Sequence, residues 1–247
     1  MKQFLLLLAA TMCLTAAAQF SNGSQKTTST DISNGWSTVY AEWNPTTAYY
    51  TGKGDADDVN FNAFSLGYNR AFALSRSVPI YLETGIAAQF LFRRDSEEED
   101  MDTDYWWKES VSTHMLSLKV PVNVLYKWDI PNTRIELMPF LGINLKANVW
   151  GEIRESEEGY DIGYYDGHYG SREYYSSSDS YNLFSEDEEN GVGEGRAWKR
   201  FQLGWQIGVK ARFNEHFVVG GSFGTDFLEI AKKTKFRTGT IMIGYTF

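Results

Sequence analysis

At 247 residues, 43% hydrophobic and 22% charged, the chain is long enough for one large β domain or two small ones. A formal charge of −9 leaves no basic stripe to neutralise phosphates, which excludes nucleic acid as a partner. Beyond the first twenty residues no run of roughly 18 apolar residues occurs, which excludes membrane-spanning helices but not spanning strands.

The chain opens MKQFLLLLAATMCLTAAAQF: Lys2, an apolar run, then Ala16, Ala17 and Ala18. This is the pattern of a secretory signal peptide over 1–18, cut before Gln19 and followed by a short periplasmic segment, 19–35. Cys13 follows Met12 rather than the small residue that a lipid-anchoring site needs. The exported chain is then expected to hold together without disulfides.

Eight stretches alternate with period two. In Trp36–Asn44, Val39, Ala41 and Trp43 oppose Thr38, Tyr40 and Glu42. In NFNAFSLGYNRAFAL, Phe64, Leu66, Tyr68, Phe72 and Leu74 oppose Ala63, Ser65, Gly67, Asn69 and Ala71; in PIYLETGIAAQFLF, Ile80, Leu82, Ile86, Ala88, Phe90 and Phe92 oppose Tyr81, Glu83, Gly85, Ala87 and Gln89. The clearest, HMLSLKVPVNVLYKW, alternates Leu116, Leu118, Val120, Val122 and Val124 with Ser117, Lys119, Pro121 and Asn123. RIELMPFLGINLKANVW and FQLGWQIGVKARF follow with the same pattern, the second face carrying Glu136, Gly142, Asn144 and Lys146, then Gln202, Gly204, Gln206, Gly208, Lys210 and Arg212. Phe217, Val219 and Phe223 oppose Gly220, Ser222, Gly224 and Asp226 in the seventh, and Gly239–Phe247 is the eighth. One face is bulky and apolar throughout. The other is rich in glycine, alanine, serine and amides, sizes suited to a narrow interior and poor for an exposed strand surface.

The links alternate in length. Long links are predicted at Pro45–Val59, Arg93–Ser110, Ile153–Ala197 and, shorter, Leu228–Lys235; tight ones at Ser75–Val78, Asp129–Thr133 and Asn214–Glu215. A barrel crossing an outer membrane segregates its loops in this way, with tight periplasmic turns at one rim and long external loops at the other. The predicted fold is therefore all-β: an eight-stranded antiparallel up-and-down transmembrane barrel over 36–247, integral to the bacterial outer membrane, with periplasmic termini. Ile243, Tyr245 and Phe247 lie on the strand expected to close it against the first. Tyr126, Trp128, Phe213, Phe217 and Phe247 are placed near the short-turn rim and Trp43, Phe92, Trp150 and Phe201 near the other, as interfacial belts would require.

With its leader, LSLKVPVNVLYKW, IELMPFLGINL and the terminal Ile-Gly-Tyr-Thr-Phe, the chain resembles the OmpA/OmpX-like and PorT-like outer-membrane barrel families. The resemblance covers about Trp36 to Phe247. It implies that Tyr245 and Phe247 are read by the barrel-assembly machinery, and that outer-membrane lipid and lipopolysaccharide surround the barrel. The PorT-like side alone implies an accessory role in surface-protein secretion. No wall-binding domain is expected after Phe247.

By parity, Glu42, Glu83, Lys119, Glu136, Lys146, Lys210, Arg212 and Asp226 point into the bore. Charges in so narrow a space must pair. They make either a structural plug or, alternatively, a thin ion- or small-solute-conducting path. Acidity is concentrated outside the barrel: eight acids lie in 93–110 and twelve in 153–197, out of 32 in the chain. These read as solvated loops, with loose divalent-cation binding as the alternative. DMDTDYWW lacks the turn glycine and terminal glutamate of a calcium loop. Tyr160, Tyr164, Tyr165, Tyr169, Tyr174, Tyr175 and Tyr181, among serine, glycine and aspartate, suit an adaptable surface for a cell-surface protein partner. No cofactor, resident metal or catalytic set is expected. The three histidines, His114, His168 and His216, fall respectively on the lipid face, in the long link and in a turn.

Overall fold

The computed structural model describes residues 35–52, 58–75, 77–101, 105–165, 168–186 and 197–247. The predicted leader, nearly all of the segment 19–35, and the acids Asp102, Asp104, Asp166, Asp187, Glu188, Glu189 and Glu194 lie outside the described residues.

Eleven strands form one antiparallel sheet that closes on itself: β1 (Gly35–Trp43), β2 (Thr46–Tyr50), β3 (Val59–Ala73), β4 (Ile80–Met101), β5 (Tyr105–Tyr126), β6 (Trp128–Asp129), β7 (Ile135–Tyr165), β8 (His168–Asn182), β9 (Phe201–Phe213), β10 (Phe217–Asp226) and β11 (Thr234–Thr246). They make eight staves. β1 and β2 are a single stave, since both pair with β3 on one side and β11 on the other in unbroken register: Trp43 faces Phe64 and Ile241, and Thr46 faces Phe61 and Thr238. Pro45 interrupts it because proline has no N–H to donate, yet its carbonyl still accepts from Gly239 N at 2.9 Å. The remaining staves run β3, β4, β5, β7, β9, β10, β11; two-residue β6 pairs beside the foot of β7.

Three predicted loops are corrected here. The first part of Pro45–Val59 is strand β2, hidden in the sequence because Pro45 reads as a stop. Arg93–Ser110 is not a loop: β4 and β5 continue as a hairpin out to Met101 and Tyr105. Most of Ile153–Ala197 is likewise strand, β7 running on to Tyr165 and returning as β8. Above the barrel both faces of a strand meet water, so apolar alternation stops while backbone pairing does not. The turn predicted at Asn214–Glu215 is present: both residues take left-handed φ values, 50° and 68°, in a three-residue connection, 214–216, closed by His216 N to Phe213 O at 3.1 Å, whereas Asp129, expected in a turn, pairs as β6 ahead of its turn.

Parity divides the surface. Leu66 is 70% exposed, while Ser65 beside it is 1% exposed. Leu141, Ile143, Leu145, Ile207, Val209, Phe223, Ile241 and Ile243 complete an outward apolar belt. Tyr126, Trp128, Phe217, Tyr245 and Phe247 are exposed at the short-turn rim, and Trp43, Trp150 and Phe201 toward the other. A continuous apolar belt of this kind far exceeds what a water-soluble monomer exposes, and hydrocarbon is the solvent that fits it. Inside, glycine makes room for rings. A Cβ on Gly67 would lie 2.5 Å from Tyr40 Cζ, so Gly67→Val is expected to cost about 1–3 kcal/mol by overpacking. Adding Tyr40→Ala should recover most of the loss; urea unfolding of the barrel in lipid, followed by gel mobility, measures both.

Candidate functional site

The bore holds all eight sequence-predicted charges and joins them in four pairs, three between strands that are not neighbours in the sheet and one, Arg212–Glu136, directly across adjacent β9 and β7. Lys119 bonds Glu42 and Arg212 bonds Glu136. Lys210 Nζ lies 2.5 Å from Glu83 Oε1, and Lys146 Nζ 3.4 Å from Asp226 Oδ1. Lys127, at the short-turn rim, adds a second cation to Glu136 at 3.0 Å. Amides extend the Lys210–Glu83 pair across the bore. Asn123 Nδ2 donates to Glu83 Oε1 (3.0 Å), Gln206 Nε2 to Asn123 Oδ1 (2.6 Å), and Asn144 Nδ2 to Gln206 Oε1 (2.7 Å). Four carboxylates against four bore cations is a neutral set, which the low-dielectric interior of a membrane barrel demands. Cavities beside these pairs measure about 20 Å³ each, space for a single water.

Apolar layers close both ends, and these the sequence reading missed. Toward the short-turn rim Trp36, Ala71, Tyr81, Leu125, Met138 and Phe140 pack together, with the Arg212 guanidinium 4.4 Å from the Trp36 ring. Toward the other rim Phe61, Leu91, Met115 and Phe236 point inward and meet Leu183 and Ile230, two residues from connections rather than barrel strands. Trp198 stands edge-on to Phe61 and Phe236 at 5.8 and 5.5 Å. The available signal was that Phe61, Met115 and Phe236 have the parity of the polar face, a break in an otherwise polar column.

The second unusual surface is outside. β4, β5, β7 and β8 continue past the barrel as a four-stranded projecting sheet. Its two faces differ in charge. On the face that continues bore-facing parity stand Asp95, Glu97, Glu109, Glu155, Glu157, Asp161, Glu173 and Asp179, with Arg93 as the one base among the described residues. Register sets Glu97, Glu109 and Glu157 side by side on three adjacent strands, and Glu155 opposite Asp179. Like charges directly opposed in a sheet are destabilising. Trp107 Nε1 donates to Glu157 Oε1 at 3.0 Å beside a groove of about 200 Å³ that Glu109, Glu155 and Asp179 also line. Desolvation, then the neighbouring Tyr105 and Glu157, hold the Tyr175 phenol above its ordinary pKa, so it stays a neutral donor.

The opposite face is balanced: Arg94, Lys108, Arg154 and Arg172 accompany Glu98, Glu152 and Glu158. It carries a serine row, with Ser110 and Ser156 hydroxyls 2.8 Å apart, and an aromatic ladder of Trp106, Tyr160 and Tyr174 with centroid spacings of 6.3 and 5.5 Å. The side chains of Tyr164, Tyr165, His168 and Tyr169 lie outside the described residues. Among those described, no group of three metal-ligating side chains converges. His114 stacks on Phe90, and His216 Nδ1 bonds the Thr246 carbonyl at 3.1 Å.

The closing strand sets Ile243 against Ala41 and Tyr245 against Val39, and Ser37 and Phe247 exchange backbone bonds at 3.2 and 3.0 Å. Thr38 and Thr246 hydroxyls share a bond across the seam at 3.1 Å. Fold and belt together define a membrane-spanning β-barrel with a closed bore and a projecting sheet.

No family model matches the chain, and no curated protein does. Among solved structures, the attachment invasion locus protein Ail of Yersinia pestis is similar at 15% identity and a TM-score of 0.37, over 87% of this chain and 99% of that one. Neisserial surface protein A is similar at 12% identity and 0.36, over 85% and 95%. The outer membrane enzyme PagL is similar at 14% identity and 0.40, over 84% and 97%. At such scores the likeness carries no further argument, and the barrel rests on its own strand pairing and burial.

Breaking the central pair tests the bore. Lys210→Met leaves the Glu83 carboxylate buried without its cation, and is expected to destabilise the barrel by about 3–5 kcal/mol. Lys210→Met with Glu83→Gln should recover most of that, as read by urea unfolding in lipid.

Proposed function

We propose that the protein is an integral outer-membrane barrel whose work is structural and adhesive, holding an acidic, tyrosine-bearing sheet outside the cell to receive a cell-surface protein partner. One observation carries this reading. The bore is filled by four ion pairs between two apolar layers, whereas a sheet face with a row of opposed glutamates is left open to solvent. Segregation of tight turns to the far rim supports placing the projecting sheet outside and the short turns in the periplasm. Lipopolysaccharide is the natural neighbour of the belt, and the strand bearing Ile243, Tyr245 and Phe247 is the one offered to the barrel-assembly machinery.

A channel would require the bore pairs to part, at several kcal/mol per bared ion, and no observation favours it. The secretion-accessory role rests on the PorT-like resemblance alone. Catalysis, a metal and a cofactor are not part of the proposal.

Two measurements check the reading. Deleting residues 160–181 should leave a barrel that still shifts mobility on boiling while surface binding falls; unchanged binding counts against the sheet. Planar-bilayer recording should show no porin-sized steps, and their appearance would refute the closed bore.

A further inference from the structure

Along the outward face of β11, read upward from the short-turn rim, stand Tyr245, Ile243, Ile241, Gly239, Arg237 and Lys235. The apolar belt ends at Gly239, and the next two outward positions are cations. The β10–β11 turn adds Lys232 and Lys233, both exposed. None of these four bases forms an ion pair with a described residue, in contrast to the bore cations. Among the described acids nearby, Asp226 is held by Lys146, with Lys235 as a more distant electrostatic neighbour, and Glu229 by Lys199 at 3.9 Å, while Asp58 is exposed at the foot of the link into β3.

The cations are also held in place. Ile230, at the start of the turn, is 1% exposed in the apolar layer of the mouth. Its N–H bonds Thr234 O at 2.8 Å, and Thr51 N donates to Lys233 O at 2.7 Å, which pins the turn to the end of β2. The Arg237 guanidinium lies 4.9 Å from the Tyr49 ring, and the Tyr49 hydroxyl shares a bond with Thr225 Oγ1 at 3.0 Å. Phe223, opposite Gly239, lies below them, and Phe227 and Leu228 flank them where the turn begins; all three are about half exposed.

We infer that the outward faces of β2, β10 and β11, with the β10–β11 turn, form a docking surface for the phosphorylated headgroup of an outer-leaflet lipid. Lys232, Lys233, Lys235 and Arg237 receive the phosphates, with Phe227 and Leu228 beside them at the rim, while Phe223 and the belt below lie along the acyl chains. This rests on the membrane-spanning reading above. Charge complementarity and continuity with the belt select the occupant: four cations that form no ion pair among the described residues, at the level where hydrocarbon gives way to water, on a chain whose overall charge is −9. Basic side chains at a membrane surface attract anionic headgroups, by about fivefold in affinity for each cation.

The test uses the full chain in phosphatidylcholine nanodiscs containing either diphosphoryl lipid A or its dephosphorylated form, with bound lipid counted by native mass spectrometry. Retention of the diphosphoryl form is expected to exceed the dephosphorylated form by tenfold or more. It should fall at least twentyfold in the variant Lys232→Gln/Lys233→Gln/Lys235→Gln/Arg237→Gln. The turn pair Lys232→Gln/Lys233→Gln, exposed and harmless to folding, should show an intermediate loss. Lys108→Gln with Arg94→Gln, removing two cations from the projecting sheet, should show none. Retention unchanged in the rim variants, or lost equally in the sheet variant, overturns the assignment, as does displacement of the lipid by millimolar inorganic phosphate alone. A chain that fails to insert at all, seen by flotation, overturns the membrane reading and this one with it; insertion with unchanged lipid counts overturns this one alone.

Discussion

Every feature of this molecule follows from one requirement: at hydrocarbon depth each backbone N–H and C=O must find a partner within the protein. A sheet can satisfy that only by having no edge. The seam between β11 and the β1–β2 stave is therefore the contact on which the rest depends. It survives Pro45 because the register is the same on both sides, so a single missing donor leaves the ladder otherwise intact. Were the seam open, Ile241, Ile243 and Tyr245 would present a flat apolar edge to any neighbouring strand.

Closure at eight staves fixes the interior as well. An eight-stranded barrel has room for side chains and little else. Rings such as Tyr40 and Phe140 fit only because Gly67 and Gly208 stand across from them. Charges fit only as pairs, and three of the four, Lys119–Glu42, Lys210–Glu83 and Lys146–Asp226, join staves that are not neighbours, so they tie the barrel through its bore as the ladders tie it around its wall. Apolar layers at both mouths then keep bulk water from the pairs, which strengthens them. A bore so filled leaves cavities of about 20 Å³ beside the pairs, space for a single water.

The barrel was legible in the sequence because two solvents act on each strand, lipid on one face and a crowded interior on the other, and that contrast writes period two directly into residues such as Leu116–Val124. The charges were legible for the same reason: a lysine at 119 or a glutamate at 83 interrupts neither face. Three things were obscured. Thr46–Tyr50 continues a strand past a proline. The projecting sheet alternates between two wet faces, so ESEEGYDIGYY offers no apolar rhythm although its backbone pairs along its length apart from an irregularity between Ile162 and Tyr164. The mouth layer draws Leu183 and Ile230 from connections, where no period exists to read. The acidic face emerged only from register, since Glu97, Glu109 and Glu157 become neighbours only once β4, β5 and β7 are aligned.

Spin labels at single introduced cysteines report whether bulky side chains look into lipid and small polar ones into a closed bore. Labels at Leu66, Ile143 and Ile243 should be accessible to oxygen dissolved in the bilayer and shielded from a water-soluble nickel chelate. Labels at the adjacent Ser65, Asn144 and Met242 should be inaccessible to both. Equal accessibility at neighbouring positions, or quenching of Leu66 and Ile243 by the aqueous reagent, would contradict the account.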